Sequence, residues 1–139
     1  MQDMSGGDPL IIAAGYPTDM DRFLAANEGL ARRFGHAFDF PDFSAAELAC
    51  MFLLKAHERG FALGGGVDAN CVAALIERHT DGEWRARHNG GVAERLSRGA
   101  MQAQDARLDP TAMKLEEYRK LAATLELCDV TLAAERLME

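Results

Sequence analysis

Two short apolar runs near the start of the chain suit β-strands, and almost everything after them has helical periodicity. The runs are Leu10–Ala14, which Gly15 ends, and Ala37–Phe40, which Pro41 ends. Two isolated strands form only a marginal sheet in water, whereas amphipathic helices readily share one core. The sequence therefore predicts a mainly α fold with two short β-strands, and it favours a larger sheet as the origin of both strands.

Helix signals follow the second run. Ser44, with Glu47 three residues later, forms a capping box ahead of an amphipathic helix that ends at Gly60. Gly-rich FALGGG is predicted to be a connector, and HTDGEWRARHNGG a loop or frayed helix in which Trp84 is a packing anchor. The other predicted helices are Thr18–Ala26, Val67–Arg78, Val92–Arg107 and Thr111–Leu127.

Composition narrows the class of protein. The 139 residues are 48% apolar and 27% charged, which is typical of a soluble globular chain. A net charge of -7 argues against nucleic acid or an anionic membrane as the main partner, because both attract basic surfaces. The first residues are neither basic nor apolar, and no run approaches the roughly 20 apolar residues of a membrane span. A cytoplasmic or plastid-stroma location is expected.

The cysteines predict neither a disulfide framework nor a metal site. Cys50, Cys71 and Cys128 are widely spaced and form no CxxC pair, so buried reduced thiols are expected. Cys50 and His57 share roughly one helix face but lack a third ligand, and we predict no bound metal.

The stretch IIAAGYPTDMDRFLAANEGLARRF, followed by DFPDFSAAEL, resembles AAA+ ATPases of the CbbX, CfxQ and stage V sporulation protein K family. Shared features are an apolar strand ending in Ala-Gly-Tyr, an acidic helix ending in Asn, an arginine pair before Phe, and Phe-Pro-Asp-Phe-Ser. The resemblance continues more weakly to about Leu108. It implies that residues 1–41 are the end of an AAA+ α/β core and 42–108 a helical lid. Residues 109–139, which the resemblance does not cover, are predicted to be a C-terminal helical extension.

The resemblance also implies site residues. Arg33, or else Arg32, would be an arginine finger that reaches ATP bound to a neighbouring subunit; the alternative is that these arginines are solvated or cap a helix end. The sensor 1 position falls near Gly15 or Tyr16, and Tyr16 is interpreted as a packed turn aromatic. A degenerate sensor 2 falls at Asn89 and Gly91, with Gly91 where the family carries arginine.

The ATP-binding motifs of such a family are missing from these 139 residues. No GxxxxGK[ST] occurs, and no acidic pair ends an apolar strand ahead of the sensor 1 run. We expect a piece of a longer protein or a truncated paralogue that cannot hydrolyse ATP alone, with ATP and Mg²⁺ belonging to the intact ring. Other AAA+ subunits are the expected partners. The family includes activases that act on Rubisco, so the resemblance makes Rubisco a candidate protein substrate. The alternative is a degenerate helical interaction module that docks on such a ring without nucleotide chemistry.

Overall fold

The computed structural model describes residues 11–26, 29 and 32–139. The chain divides into two compact units, Met1–Phe40 and Pro41–Glu139, and each is described by itself. The described residues contain seven helices and two strands, so the predicted mainly α class with two short strands is confirmed. The predicted division at 41/42 and 108/109 concerns functional parts and stays a prediction.

The first unit contains one described helix, α1 (Pro17–Ala25). It begins one residue before the predicted cap Thr18, because proline fits the first helical turn, where its missing N–H needs no partner. Asp19 in the first turn forms an exposed ion pair with Arg22, at 3.8 Å.

Neither predicted strand of the first unit forms. Leu10 lies outside the described residues, and 11–14 and Ala37–Phe40 have no regular structure. Their apolar side chains are exposed, to 82% at Ile12 and 90% at Phe40. The physical reason is that a lone strand leaves its backbone N–H and C=O groups without partners, and no described segment pairs with either run.

The second unit is a helical bundle joined by one short parallel strand pair. Each apolar helix face turns inward, and the polar faces remain in solvent. Its elements are α2 (Ala45–Glu58), β1 (Ala62–Leu63), α3 (Ala69–His79), α4 (Gly82–His88), α5 (Gly91–Arg107), α6 (Leu115–Ala122), β2 (Thr124–Leu125) and α7 (Leu127–Glu135).

Side-chain caps fix where these helices begin. The predicted capping box is confirmed: the Ser44 Oγ accepts from the Glu47 N–H, and the Glu47 carboxylate accepts from the Ser44 N–H at 2.8 Å. Asp81 caps α4 through the Trp84 N–H at 2.7 Å, so the predicted loop or frayed helix is a short helix. The Glu47 carboxylate accepts hydrogen bonds from the Ser44 N–H and the Ser44 hydroxyl, and these two bonds lower the pKa of Glu47.

One core is shared by α2, α3, α5, β2 and α7. The helices α5 and α7 approach closely at Gly99, where a Cβ would lie 3.0 Å from the Ala133 Cβ. Only a residue without a side chain fits there without displacing the neighbouring helix. The largest fully buried apolar side chains are Leu48, Phe52, Val72, Ile76, Val92, Leu96, Leu125 and Val130.

The strand pair and the last helix differ from the sequence prediction. The predicted helix Thr111–Leu127 is instead α6, β2 and the start of α7, and β2 pairs with β1 inside the predicted Gly-rich connector. The buried Gln104 amide explains the break, because it donates to the carbonyls of Leu121, Ala122 and Thr124 at 2.9 to 3.0 Å. These carbonyls therefore have a partner outside the helix.

The expected burial of the cysteines is wrong. Cys50 and Cys128 are exposed, and Cys71 is half-buried. Leu48, Ala49 and Phe52 occupy the inner side of α2, which leaves Cys50 facing outward. No helix in the described part of the chain has the length and apolar character that crossing a membrane requires.

Candidate functional site

The arginine pair lies in a turn of the first unit. Arg32 and Arg33 are exposed, and neither forms an ion pair with any residue that the structure describes. Phe34, directly after Arg33, packs edge-to-face on Phe23 of α1, with ring centroids 6.4 Å apart and planes inclined by 64°. This aromatic contact anchors the backbone beside Arg33 while its side chain extends into solvent.

The sensor 1 candidates precede α1 in the same unit. Tyr16 is the N-cap residue of α1, and its carbonyl accepts from the N–H groups of Asp19 and Met20. Its side chain is 78% exposed, so the interpretation as a packed turn aromatic is wrong. Gly15 lies in the irregular segment before it. The role of both residues at a nucleotide stays a prediction.

The sensor 2 candidates lie in the second unit, where α4 ends and α5 begins. Asn89 has φ 45° and ψ -130°, a backbone conformation that side-chain-bearing residues rarely adopt. Its side-chain amide accepts from the Phe43 N–H at 3.1 Å and donates to Asp42 at 2.9 Å. Asn89 therefore joins the α4–α5 corner to the segment before α2. Gly91 starts α5 and contributes no side chain.

Next to this corner, Trp84 forms part of an aromatic stack. It packs partly buried against the core, which confirms its predicted role as an anchor. The His88 ring stacks on it with centroids 4.1 Å apart, and the Arg95 guanidinium lies 5.9 Å from the centroid of the Trp84 ring. The sequence alone did not reveal that Arg95 contacts Trp84.

A cluster of charged side chains connects α2 to α5. The Glu94 carboxylate lies 3.0 Å from Lys55 and 2.8 Å from Arg59, and Arg59 also donates to Ser97 at 2.7 Å. The hydrogen bonds from Lys55 and Arg59 lower the pKa of Glu94 to about 2. This network holds the bundle together and offers no unpaired acid or base for chemistry.

The candidate residues are divided between the two units of the chain. Arg32, Arg33, Gly15 and Tyr16 belong to the first unit, and Asn89 with Gly91 belongs to the second. Among the residues that the structure describes, no group of three His, Cys, Asp or Glu side chains could hold a metal ion. The Asn89 amide is engaged with Phe43 and Asp42, and Gly91 has no side chain, so the role of both at a nucleotide stays a prediction.

Comparison with protein families decides the relationship of the second unit. A family described as "Domain of unknown function (DUF8495)" matches residues 42–137. The chain belongs to the DUF8495 family. The matched range begins at Asp42, a partner of Asn89, and ends at Leu137 in the core, so it contains the whole helical bundle of the second unit.

Individual relatives extend the comparison beyond DUF8495. The chain is 33% identical over 104 residues to ESX-1 secretion system protein EccA1 of Mycobacterium leprae, covering 71% of this chain and 18% of that protein. It is 41% identical over 54 residues to Stage V sporulation protein K of Bacillus subtilis, covering 39% and 17%. It is 49% identical over 41 residues to Protein CfxQ of Xanthobacter flavus, covering 30% and 13%.

These matches confirm the relationship to AAA+ ATPases that the motifs indicated, over part of the chain. The chain spans only 8% to 18% of the length of the curated relatives it matches. No solved structure matches it significantly.

Proposed function

We propose that this chain supplies the arginine finger and the lid of a CfxQ-like AAA+ ATPase, and that it acts on ATP bound by a neighbouring subunit. The observation that carries the proposal is the exposure of Arg33 and its lack of an ion pair among the described residues. Phe34 beside Arg33 is anchored on Phe23. Because the Arg33 guanidinium has no ion pair among the described residues, it can enter another subunit without first breaking a salt bridge.

The chemistry needs such a group. Negative charge spreads over the terminal phosphate oxygens as the phosphoryl bond breaks, and a preplaced guanidinium stabilises it by charge-assisted hydrogen bonds. Known arginine fingers accelerate the reaction by roughly 10³–10⁵-fold. Arg33 is the first candidate and Arg32 the second. The alternative, that both are merely solvated, predicts no effect of either on a neighbouring active site.

The nucleotide is proposed to lie outside this chain. These 139 residues contain no GxxxxGK[ST] motif, and no acidic pair ends an apolar strand ahead of the sensor 1 run. The chain would therefore be inactive by itself, and Mg²⁺ and ATP would be held by residues of the neighbouring subunit. Residues 42–108 would serve as the lid, with Asn89 fixing its α4–α5 corner, and residues 109–139 would be a C-terminal helical extension.

The test is to mix the purified chain with an intact CfxQ-like ATPase and to measure the rate of ATP hydrolysis. We expect the rate to change on mixing, and Arg33→Ala to remove the change. The matched control is Arg22→Ala, an exposed arginine of the same unit whose ion pair with Asp19 is peripheral. An unchanged rate on mixing, or equal effects of both substitutions, would contradict the trans-acting role.

A second function, a helical module that docks on such a ring without nucleotide chemistry, is favoured by one observation. Leu115 on α6 is 62% exposed, and Tyr118 on the same helix is half-buried.

The ring's substrate would be another protein. Rubisco is a candidate through the CfxQ resemblance, and no residue of this chain selects it over other proteins.

A further inference from the structure

A shallow cavity of about 290 Å³ lies between α5 and α7, and three arginines line it. Arg95 and Arg98 come from α5, and Arg136 follows the end of α7. Gly99 and Ala133 also line it, at a close contact between the two helices. The remaining lining residues are one amide and two leucines: Gln102, Leu132 and Leu137.

The three guanidinium groups carry more positive charge than their surroundings neutralise. In the part of the chain that the structure describes, Glu94 is the one carboxylate within ion-pair distance of any of them, 3.8 Å from Arg98. Glu94 is already bound by two closer cations. Arg95 contacts the Trp84 ring instead of an acid. This local excess of positive charge stands in a chain whose net charge is -7.

The contacts of two of these arginines within the fold are long. The Arg95 guanidinium lies 5.9 Å from the centroid of the Trp84 ring, and Arg98 lies 3.8 Å from Glu94. All three side chains are exposed and leave the core packing beneath them to Ala133 and Leu137. Exposed arginines around an apolar floor are instead suited to an anionic ligand that also has an apolar part.

We propose that this cavity, the α5–α7 arginine cavity, is a docking site for an acidic segment of a partner protein. Carboxylates of the segment pair with Arg95, Arg98 and Arg136, since a guanidinium offers two parallel N–H donors to a carboxylate. An apolar side chain of the segment rests on Leu132, the half-buried leucine of the lining. This apolar contact favours a peptide that carries both carboxylates and apolar side chains over a small inorganic anion.

The chain carries its own reporter for this site. Trp84 is the single tryptophan, and the Arg95 guanidinium lies 5.9 Å from its ring centroid. When a carboxylate draws Arg95 away from the ring, the environment of the indole changes. Binding in the cavity is therefore expected to alter the intrinsic fluorescence, and Arg95→Gln is expected to abolish that change while Arg136→Gln retains a reduced one.

The experiment titrates the full chain into a fluorescein-labelled peptide of alternating Glu and Leu and follows anisotropy and Trp84 fluorescence. The peptide with Gln in place of Glu is the charge control. We expect saturable binding that weakens with salt, a loss of about two- to fivefold for each single Arg→Gln change in the cavity, and about tenfold or more for the triple change. The matched protein control, Arg119→Gln, changes an exposed arginine of α6 outside the cavity and should have no effect.

Several results would overturn the proposal. Equal binding of the Gln peptide would remove the charge recognition, and an equal loss in Arg119→Gln would make it a nonspecific effect of net charge. Saturable binding of inorganic phosphate without binding of the Glu peptide would assign the cavity to a small anion. Because the substituted side chains are exposed, the variants are expected to fold, and unfolding curves verify this; if the triple variant unfolds, the three single variants carry the test. ATP hydrolysis is not involved, so this outcome is independent of the arginine-finger proposal.

Discussion

Arg107 and Asp129 bind each other through two parallel hydrogen bonds, from Nε to Oδ1 and from Nη2 to Oδ2, both at 2.9 Å. Asp129 is 2% exposed, and its Oδ2 also accepts from the Glu126 N–H at 2.9 Å. One carboxylate thus caps the start of α7 and ties it to the last residue of α5. The same contact raises the pKa of the Arg107 guanidinium, which therefore stays charged.

Removing Arg107 tests how much this contact contributes to the free energy of unfolding. Arg107→Ala leaves a buried carboxylate without its counter-charge, and we expect the free energy of unfolding to fall by about 2–3 kcal/mol, between the values for exposed and fully buried pairs. Denaturant unfolding at pH 7 measures the change. The control Arg119→Ala removes an exposed arginine whose ion pair with Glu116 is 4.0 Å long and should cost less than about 0.5 kcal/mol. Similar losses in the two variants would contradict the special role of Arg107.

Local sequence signals predicted the helices better than the strands. The Ser44–Glu47 box and the span of α5 could be read directly, because their determinants lie within one or two turns of each other. The strand pair could not, since two-residue strands carry no periodic pattern and β1 pairs with a segment about sixty residues later, Ala62 with Thr124. The Gln104 amide that interrupts the predicted last helix is likewise distant in sequence.

The candidate site was predictable only through resemblance. Nothing in composition or spacing distinguishes Arg33 from a solvated surface arginine, and its role stays a prediction. The hydrogen bonds of Asn89 reach residues 46 and 47 positions away, so local reasoning could not assign them. Only part of the α5–α7 arginine cavity could be predicted from the sequence. The spacing of Arg95 and Arg98 places both on one helix, but only the fold brings Arg136 next to them.

The Glu94 network predicts a specific pH dependence. Its folded pKa of about 2 lies below the ordinary 4.5, so the charged form favours the folded state. This contribution is fully present above about pH 5 and is lost as the pH falls from 4.5 towards 2. The difference in unfolding free energy between the wild type and Glu94→Gln should therefore be constant at higher pH and shrink through that window.

Denaturant unfolding of both proteins at several pH values measures this difference. Glu116→Gln is the matched control, because Glu116 is highly exposed and its ion pair with Arg119 is long, at 4.0 Å. Its difference from the wild type should stay small at every pH. A Glu94→Gln difference that persists unchanged at pH 2 to 3 would show that the carboxylate acts by packing and not by charge.

The Asn89 corner predicts an order of stability among substitutions. Asn89→Ala removes both side-chain hydrogen bonds and keeps a Cβ at φ 45°, so a loss of about 1–2 kcal/mol is expected. Asn89→Gly loses the same bonds but relieves the backbone, and it should lie between the wild type and Asn89→Ala. The control Asn70→Ala, at an exposed position of α3, should be nearly neutral. Thermal unfolding ranks the four proteins, and a glycine variant less stable than the alanine variant would refute the backbone argument.

Deleting residues 109–139 separates a core role of this segment from a docking role. The deletion removes Leu125, Val130 and Leu137, which are buried among α2, α3 and α5. Burial of each such side chain contributes about 1.5–3 kcal/mol, and a small domain has only about 5–15 kcal/mol in total. The truncated chain should therefore lose cooperative unfolding in circular dichroism. Leu115→Ser, at a position 62% exposed on α6, should keep the fold and is the variant that tests docking. A truncated chain that still unfolds cooperatively would mean that the helices before residue 109 form a core by themselves.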